Sequence, residues 1–326
     1  MVRSVGAEPY TTGNTHTFFV ATPGASTGTM SNSMPKYSPL ITVVVPAYNR
    51  AATISDCVRS IQEQTYPHWE LIVVDDGSRD GTPEIVARLA KEDSRIRLIQ
   101  QSQNSGAQAA RNIGIRNSTG EWVAFLDSDD QYLPDSLERR LALAGAEDVS
   151  VVHSECYVIE PGGTKRVYQV PPVRGAAYST LLSHEGPLYQ GLLVRKEALE
   201  RIGYLDENIT AFQEWDTSVR LAKYYRFAFE KTPTFVYDCR FDDAMSKDLL
   251  RGGRGYEQVF RKHLFAILWH LGPQRLVYHY EVAERWYQGG KDQQAAKRCA
   301  RLSCLWSLCD IRSLPGRAFN RLRRAS

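Results

Sequence analysis

A repeated alternation of short apolar runs and helix-spaced patterns between Leu40 and Leu143 is the feature that most restricts how this chain of 326 residues can fold. The four apolar runs cover residues 40–45, 70–74, 96–99 and 122–126. Short, nearly continuous runs rich in β-branched residues are typical of strands buried on both faces of a parallel sheet. Four strand–helix units in succession therefore predict a doubly wound α/β sheet.

Polar residues follow three of these predicted strands at the point where each strand ends. They are Tyr48 and Asn49 after the first, Asp75 and Asp76 after the second, and Asp127 and Asp129 after the fourth. In open α/β sheets, ligands bind beyond the carboxyl ends of the strands. No G-x-G-x-x-G motif or Gly-rich Walker loop follows the first strand, which argues against dehydrogenases and P-loop enzymes.

The second half of the chain has a mixed pattern. The sequence predicts a hairpin of residues 149–159 and 165–170, strands at 190–194 and 235–237, and helices at 196–202 and 211–224. Three amphipathic helices are then predicted at 256–270, 274–288 and 291–305. We therefore divide the chain into a leader at 1–38, an α/β domain at 39–240 with halves 39–145 and 146–240, and a helical region with a basic tail at 241–326.

The leader is rich in Ser, Thr, Gly and Pro and shows no periodicity, so we predict that it is disordered and that Met34 is the native start. At the other end, the segment from Lys291 onward holds nine basic and two acidic residues, a charge of +7 in a chain of net +3. Apolar residues before the terminal arginines suit contact with an anionic membrane, and a helical cap with a solvated basic end is the alternative. The tail lacks the interleaved aromatic residues of a nucleic-acid platform, so no nucleic-acid partner is predicted.

Two further observations concern location. No apolar run approaches the ~18–20 residues of a membrane-spanning helix. The six cysteines form no C-x-x-C pair and are interpreted as reduced thiols. We predict a cytoplasmic protein, with peripheral contact at the inner face of the membrane as an open possibility.

Asp127 and Asp129 carry the first chemical hypothesis. Their alternate positions place both carboxylates on one side of an extended chain, where they can hold Mg²⁺ or Mn²⁺. Such a cation would bridge a substrate diphosphate. A simple turn before the next helix is the alternative interpretation.

Three other residues suggest what the diphosphate belongs to. The ring of Tyr48 can stack on a base, and the Asp76 carboxylate can accept the imide N–H of uracil or thymine. The planar guanidinium of Arg111 can meet the base or the phosphates. Each residue could instead have a structural role.

The motifs at these positions resemble the family 2 glycosyltransferases of the GT-A fold, densely over residues 40–143 and more thinly to Arg226. The matching runs are 43–50 (VVVPAYNR), 73–82 (VVDDGSRDGT), 104–106 with 110–114 (NSG and ARNIG), and 120–130 (GEWVAFLDSDD). The resemblance implies a Rossmann-like mixed sheet flanked by helices, with residues 39–145 binding the nucleotide, residues 146–240 serving the acceptor, and a C-terminal helical appendage. It also implies that Asp129 is the principal metal ligand, that Asp127 lies near the ribose or the metal, and that the nucleotide contacts come from Pro46, Tyr48, Asn49, Asp76 and Arg111.

An inverting transferase also needs a base for the acceptor hydroxyl. The family commonly supplies it from an acidic pair at the start of a helix, and the corresponding residues here are Gln213 and Glu214, a departure from the usual Glu-Asp pair. The resemblance thus makes Glu214 the base and Asp216 a structural neighbour or reserve candidate. An ordinary acidic first turn, favoured by the helix dipole, is the alternative.

The resemblance implies a metal-dependent, inverting enzyme that transfers sugar from a nucleoside diphosphate, UDP or dTDP, to a hydroxyl of a glycan, lipid-linked or polysaccharide-precursor acceptor. Processive synthases carry a Gln-x-x-Arg-Trp signature, but this chain has Val282 before Glu284-Arg285-Trp286 where the glutamine would stand, so a non-processive enzyme is expected. A nucleotide-sugar-binding protein without transfer activity remains the alternative. A nucleotidyltransferase would need a Gly-rich basic loop after the first strand, which is missing.

Overall fold

The computed structural model describes residues 38–240 and 248–309. Within these ranges, the strands are β1 Ile41–Ala47, β2 Trp69–Asp75, β3 Ile96–Gln100, β4 Trp122–Phe125, β5 Gln131–Tyr132, β6 Val151–Ile159, β7 Lys165–Tyr168, β8 Leu193–Arg195 and β9 Phe227–Asp238. The helices are α1 Ile54–Gln62, α2 Thr82–Glu92, α3 Ala107–Arg116, α4 Ser136–Glu147, α5 Tyr178–Ser183, α6 Lys196–Arg201, α7 Gln213–Ala222, α8 Leu249–Lys262, α9 Leu264–Leu271, α10 Pro273–Gly289 and α11 Gln293–Leu308.

The strands form one mixed sheet in the order β3-β2-β1-β4-β8-β6-β9-β5, with β7 paired to β6. The first four strands are parallel, as predicted, while β8 runs antiparallel to both β4 and β6. Because β1, β2 and β4 are neighbours, the loops that follow them meet at one edge of the sheet. The alternation of strands and helices in the first half of the chain thus places the candidate site.

Pro46 lies inside β1, where a proline normally removes a ladder hydrogen bond. The Val44 carbonyl accepts from the amide of Leu126, so the alternate residue Pro46 also faces β4. The pairing of β4 with β1 ends at Phe125 opposite Val44. The absent N–H of Pro46 therefore points past the end of the paired strand.

Helices cover both faces of the sheet. Val43 and Val45 pack with α1, α2 and α4 on one face, whereas Val44 packs on the other face with α3 and the C-terminal helices. All three valines are fully buried. The C-terminal helices share this second core with the sheet, and the described residues from Pro39 onward belong to one compact unit.

The C-terminal region has four helices among the described residues rather than the three predicted. The first begins at Leu249, seven residues before the predicted start at residue 256, and contains three glycines. A Cβ at Gly255 would lie 2.5 Å from the backbone nitrogen of Ala211, so glycine permits close packing there. This helix ends at Lys262, and α9 begins after a break at His263.

Two predicted strands also differ. The strand expected at 190–194 begins only at Leu193, because residues 189–191 form a 3₁₀ turn whose Gln190 carbonyl accepts a hydrogen bond from buried Arg140 at 3.1 Å. The strand expected at 235–237 is the end of the 12-residue β9. The middle of β9, around Glu230 and Lys231, is polar and interrupts the apolar pattern, so the first half of this strand was not predicted. The predicted hairpin is confirmed as β6 paired with β7.

Several predictions fall outside the described residues. The leader, apart from Ser38, and the proposed start at Met34 belong to the undescribed N-terminal segment, and the tail arginines lie beyond Cys309. None of the helices that the structure describes combines the length and apolar character needed to span a bilayer.

A buried ion cluster joins α7 to α8. The Asp216 carboxylate lies 2.8 Å from Arg220 Nε, 2.8 Å from Lys262 Nζ and 2.9 Å from His263 Nε2. Burial alone would raise the pKa of Asp216, but the hydrogen bond from His263 and the charges of Arg220 and Lys262 lower it to about 2. Asp216 therefore stabilises the joint between the α/β domain and the helical region.

Close packing of α3 on β1 predicts a sharp glycine requirement. A Cβ at Gly114 would lie 2.4 Å from Cγ1 of Val44, so we expect Gly114→Ala to lower the free energy of unfolding by ~1–3 kcal/mol. Gly145 in α4 has no atom within 4 Å of its added Cβ. Gly145→Ala should therefore be neutral or stabilise by up to ~1 kcal/mol. Urea unfolding of the two variants checks this, and equal effects would contradict the packing argument.

The Asp216 cluster predicts a pH-dependent stability difference. A pKa lowered from 3.8 to about 2 corresponds to about 2 kcal/mol that Asp216→Asn should lose at pH 7. Because the folded pKa is the lower one, this difference is complete above about pH 4 and fades as the pH falls toward 2. Asp206→Asn, which removes a partly exposed neighbour of Lys262, is the control and should cost under ~1 kcal/mol. Urea unfolding of these variants from pH 7 to 3 is the measurement; a difference independent of pH would refute the cluster's role.

Candidate active site

The candidate site lies where β1, β2 and β4 end. Ala47 at the end of β1 is in register with Asp75 at the end of β2, and Val44 is in register with Phe125, the last residue of β4. The loops after these strands therefore start at nearly the same level. The structure brings together the predicted residues of all three loops at this edge.

A buried arginine connects α3 to the loop after β4. Arg111 Nη2 lies 2.5 Å from Asp127 Oδ1, and the Arg111 side chain is only 6% exposed. Its guanidinium carbon sits 4.5 Å from the centre of the Tyr189 ring, and Nη1 donates to Gln108 Oε1 at 3.0 Å. The Nε of Arg111 is buried without a partner among the described residues. The guanidinium thus holds Asp127 and retains hydrogen-bonding capacity.

The three aspartates after β4 have different surroundings. Asp129 is partly exposed, and its Oδ2 lies 3.5 Å from Arg50 Nε. Asp130 is buried and accepts from the backbone amide of Asp238 at 2.9 Å and from Gln190 Nε2 at 2.7 Å. Burial, together with the negative charges of Asp127 and Asp129, raises the pKa of Asp130 well above its usual range. Asp130 thus belongs to the support of the loop, while Asp129 reaches its surface.

These carboxylates can hold a divalent cation only together with other ligands. Within residues 38–240 and 248–309, no group of three or more His, Cys, Asp or Glu side chains is arranged to hold a metal. Both Asp127 and Asp129 already face an arginine. Two carboxylates fit Mg²⁺ or Mn²⁺ bound through one or two protein ligands, with the remaining ligands from water and substrate phosphates.

Asp76 makes contacts that sequence reasoning did not anticipate. Its two carboxylate oxygens accept from the backbone amides of Ser105 and Gly106 at 2.9 and 2.7 Å. Asp76 therefore anchors the loop before α3, and an imide would have to use a second lone pair of one oxygen. Beside it, the buried Oδ1 of Asp75 has no partner. Asp75 is thus an additional acceptor at this edge.

The loop after β1 is built around Asn49. Asn49 has a φ of 53°, and its side-chain oxygen accepts from the amide of Arg79 at 2.9 Å. Its own amide donates to Ser78 Oγ at 2.8 Å, so the two loops after β1 and β2 are joined. This leaves Tyr48 41% exposed beside the site. The position of the Tyr48 ring is compatible with stacking on a ligand, whereas Asn49 and Pro46 shape the backbone.

The predicted base occupies the first turn of α7. Burial raises the pKa of Glu214, and the negative charge of Asp127 adds to this, while the positive charge of Arg111 opposes it. The carboxyl group therefore lies within electrostatic reach of the Arg111–Asp127 pair. Asp216, two residues further, is engaged by Arg220, Lys262 and His263 of the ion cluster.

A second carboxyl group, Glu185, was missed by sequence reasoning. Partial enclosure by the surrounding protein and the negative charge of Glu214 raise the pKa of Glu185. Tyr189 and Gln190 were also missed: the Tyr189 hydroxyl contacts Gln108 and Thr217, and Gln190 donates to Asp127 at 2.8 Å. A buried turn without a charged residue carries no sequence signal for such roles.

Comparisons with known proteins agree with this architecture. Residues 42–203 match the family model described as Glycosyl transferase family 2. TuaG of Bacillus subtilis, a glycosyltransferase named for teichuronic acid biosynthesis, is 45% identical over 108 residues, which are 33% of this chain and 43% of TuaG. WfgD of Escherichia coli, named a UDP-Glc:alpha-D-GlcNAc-diphosphoundecaprenol beta-1,3-glucosyltransferase, is 33% identical over 147 residues, or 45% of this chain and 56% of WfgD. The aligned part thus spans between two fifths and three fifths of these two relatives.

Two solved structures share the fold. Staphylococcus aureus TarS 1–349 in complex with UDP-GlcNAc superposes with a TM-score of 0.64 at 20% identity, covering 82% of this chain and 81% of TarS 1–349. The mannosyltransferase PcManGT of Pyrobaculum calidifontis, in complex with GDP-Man and Mn²⁺, gives a TM-score of 0.54 at 23% identity and covers 89% of this chain and 80% of its own. With its strand order, its site at the strand ends and these matches, the chain has the GT-A fold and belongs to the family 2 glycosyltransferases.

Proposed function

We propose that the protein is an inverting, metal-dependent, non-processive transferase that moves a sugar from a nucleoside diphosphate, UDP or dTDP, to a hydroxyl of a glycan or lipid-linked acceptor. The observation that carries the proposal is the buried Arg111–Asp127 pair with Asp129 on one side and Glu214 within its field. It gathers a phosphate-binding cation, acidic metal donors and a candidate base at one edge of the sheet. A protein that only stored the donor would have no use for the base.

The phosphate side of the site rests on Arg111 and Asp129. The unpartnered Nε of Arg111 is a donor that a phosphate oxygen can satisfy. Asp129, with Asp127 beside it, would hold Mg²⁺ or Mn²⁺ together with the diphosphate. When bound, such a cation supplies positive charge that stabilises the departing nucleoside diphosphate. The Mn²⁺ complex of the neighbour PcManGT supports this choice of cation.

The acceptor side rests on Glu214. A carboxylate with a raised pKa accepts a proton more readily than an ordinary one, which suits removal of the hydroxyl proton as the oxygen attacks the anomeric carbon. Attack on the face opposite the leaving group gives inversion. Glu185 adds a second acidic group on this side, close enough to Glu214 that the negative charge of Glu214 raises the pKa of Glu185.

The acceptor class and the location are proposals of the same kind. The diphosphoundecaprenol acceptor in the name of WfgD supports a lipid-linked acceptor and a role in cell-envelope polysaccharide biosynthesis. The six cysteines are free thiols, as expected in the reducing cytoplasm. Peripheral contact at the inner face of the membrane would bring the enzyme to such an acceptor.

Substitutions at Asp129 and Glu214 separate the two halves of this proposal. Asp129→Ala should abolish transfer and weaken Mn²⁺-dependent binding of UDP, because it removes a metal ligand. Glu214→Gln should bind UDP normally yet turn over at least about 100-fold more slowly, because the base is lost. The measurements are UDP titration calorimetry with Mn²⁺ and release of UDP from the donor. Glu84→Gln, an exposed change in α2, is the control.

The pH profile gives an independent check of the base. Since the pKa of Glu214 is raised, the acid limb of kcat/KM should lie above the pKa of 4.5 of an ordinary glutamate. Near-wild-type turnover in Glu214→Gln would remove Glu214 from the mechanism.

A panel of nucleotide-sugar donors tests which nucleobase the site accepts. With Mn²⁺ present, UDP- and dTDP-sugars should be hydrolysed or should raise the melting temperature more than GDP-sugars, because Asp76 and Asp75 offer acceptors to an imide N–H. A clear preference for GDP-sugars would contradict the imide contact. No response to any donor would contradict donor binding itself.

A further inference from the structure

The short helix α9 displays two aromatic side chains to solvent. Phe265 is 85% exposed and Trp269 is 86% exposed. They are four residues apart, so they lie on one face of the helix. The other side of α9 is also apolar: Ile267 is buried, and Leu264 and Leu268 pack against the core. An exposed pair of large aromatic side chains on a helix made mostly of apolar residues indicates an interaction surface.

A second exposed stripe lies on α11. Lys297, Arg301, Leu305 and Leu308 follow one another at helical spacing and are all exposed. Since α10 and α11 form a hairpin with a three-residue turn, the end of α11 lies beside the start of α10. The start of α10 is separated from α9 by Gly272 alone. Leu305 and Leu308 are therefore at the same end of the helical region as α9.

We name this end of the helical region the aromatic end and define it by Phe265, Trp269, Leu305 and Leu308. Residues 248–309 hold ten basic and five acidic side chains, a net charge of +5 in a chain of +3. Among the described residues, Lys297 and Arg301 have no acidic partner, and they extend the stripe that ends in the two leucines. The fitting partner is therefore apolar at its centre and anionic around it.

We propose that the aromatic end binds the surface of an anionic lipid bilayer. Tryptophan and phenylalanine on one helix face insert at the boundary between headgroups and acyl chains, and the net positive charge of the helical region attracts the anionic headgroups. A second copy of the chain fits less well. Each of the two aromatic side chains covers about 150–250 Å². Their combined area is well below the ~800 Å² that a standard interface buries on each partner.

The aromatic end is connected to the candidate base through α5. His270 of α9 packs edge-on against Tyr178 of α5, with ring centres 5.3 Å apart. At the other end of α5, the Leu181 carbonyl accepts from Trp215 Nε1 at 2.6 Å, and Trp215 is the neighbour of Glu214. One helix thus separates the bilayer contact from the acceptor side of the site. That this contact serves a lipid-linked acceptor rests on the proposed function; the bilayer contact itself does not.

Vesicle flotation of the full chain tests the proposal. Wild-type protein should float with phosphatidylcholine vesicles that contain phosphatidylglycerol, and less with phosphatidylcholine alone. Phe265→Ala with Trp269→Ala should lower the bound fraction about tenfold, because the inserting side chains are lost. Lys297→Gln with Arg301→Gln should weaken binding to the anionic vesicles in particular. Val167→Ala with Tyr168→Ala on β7, two residues of 42% and 41% exposure, is the matched control and should float like wild type.

Fluorescence identifies the residue in contact. Brominated lipids should quench the emission of wild-type protein, and Trp269→Phe should lose that quenching while still floating. Flotation unchanged in the Phe265→Ala, Trp269→Ala variant would overturn the proposal. A wild-type dimer that this variant dissociates, without vesicle binding, would also overturn it in favour of self-association. Donor hydrolysis without vesicles, measured on the same variants, reports separately on the proposed function.

Discussion

The buried contact between Arg111 and Asp127 is the interaction on which the rest of the site depends. It joins α3 to the end of β4 and places a guanidinium on the ring of Tyr189. A buried charge is tolerated only when it is paired and hydrogen-bonded, so the buried Arg111 requires the partly exposed Asp127. The pair also supplies the field felt by Glu214 on α7. One ion pair thereby links the phosphate side of the site to the acceptor side.

The site keeps several carboxyl groups close together by giving each a different environment. Asp127 has its arginine, Asp129 remains at the surface near Arg50, and Asp130 is buried with a pKa raised well above its usual range. On the acceptor side, the negative charge of Glu214 raises the pKa of Glu185, and that of Asp127 raises the pKa of Glu214. A positive ligand between Asp127 and Asp129 would relieve this repulsion, which is the electrostatic argument for a cation in the proposed mechanism.

Sequence reasoning located the first four strands and the edge at which their loops meet, because a buried parallel strand leaves a clear apolar run. It did not anticipate that Asp76 is engaged by two backbone amides while its neighbour Asp75 keeps an unpartnered oxygen. Which of two adjacent aspartates turns toward a loop depends on tertiary contacts. For the same reason Gln190, on a buried turn with no charge of its own, could not be found from its sequence neighbourhood.

The C-terminal helices show where local patterns stop being informative. A segment with three glycines reads as a loop, yet Gly255 is there because α8 approaches the backbone at Ala211. Conversely, α9 falls within the amphipathic helix predicted at 256–270, yet Phe265 and Trp269 face solvent. Amphipathicity distinguishes a polar from an apolar face, but it cannot distinguish a face that packs on protein from one that is left for another apolar phase. Only the packing of α9 between α5 and α10 shows which apolar face contacts protein and which does not. This packing leaves Phe265 and Trp269 outside the core.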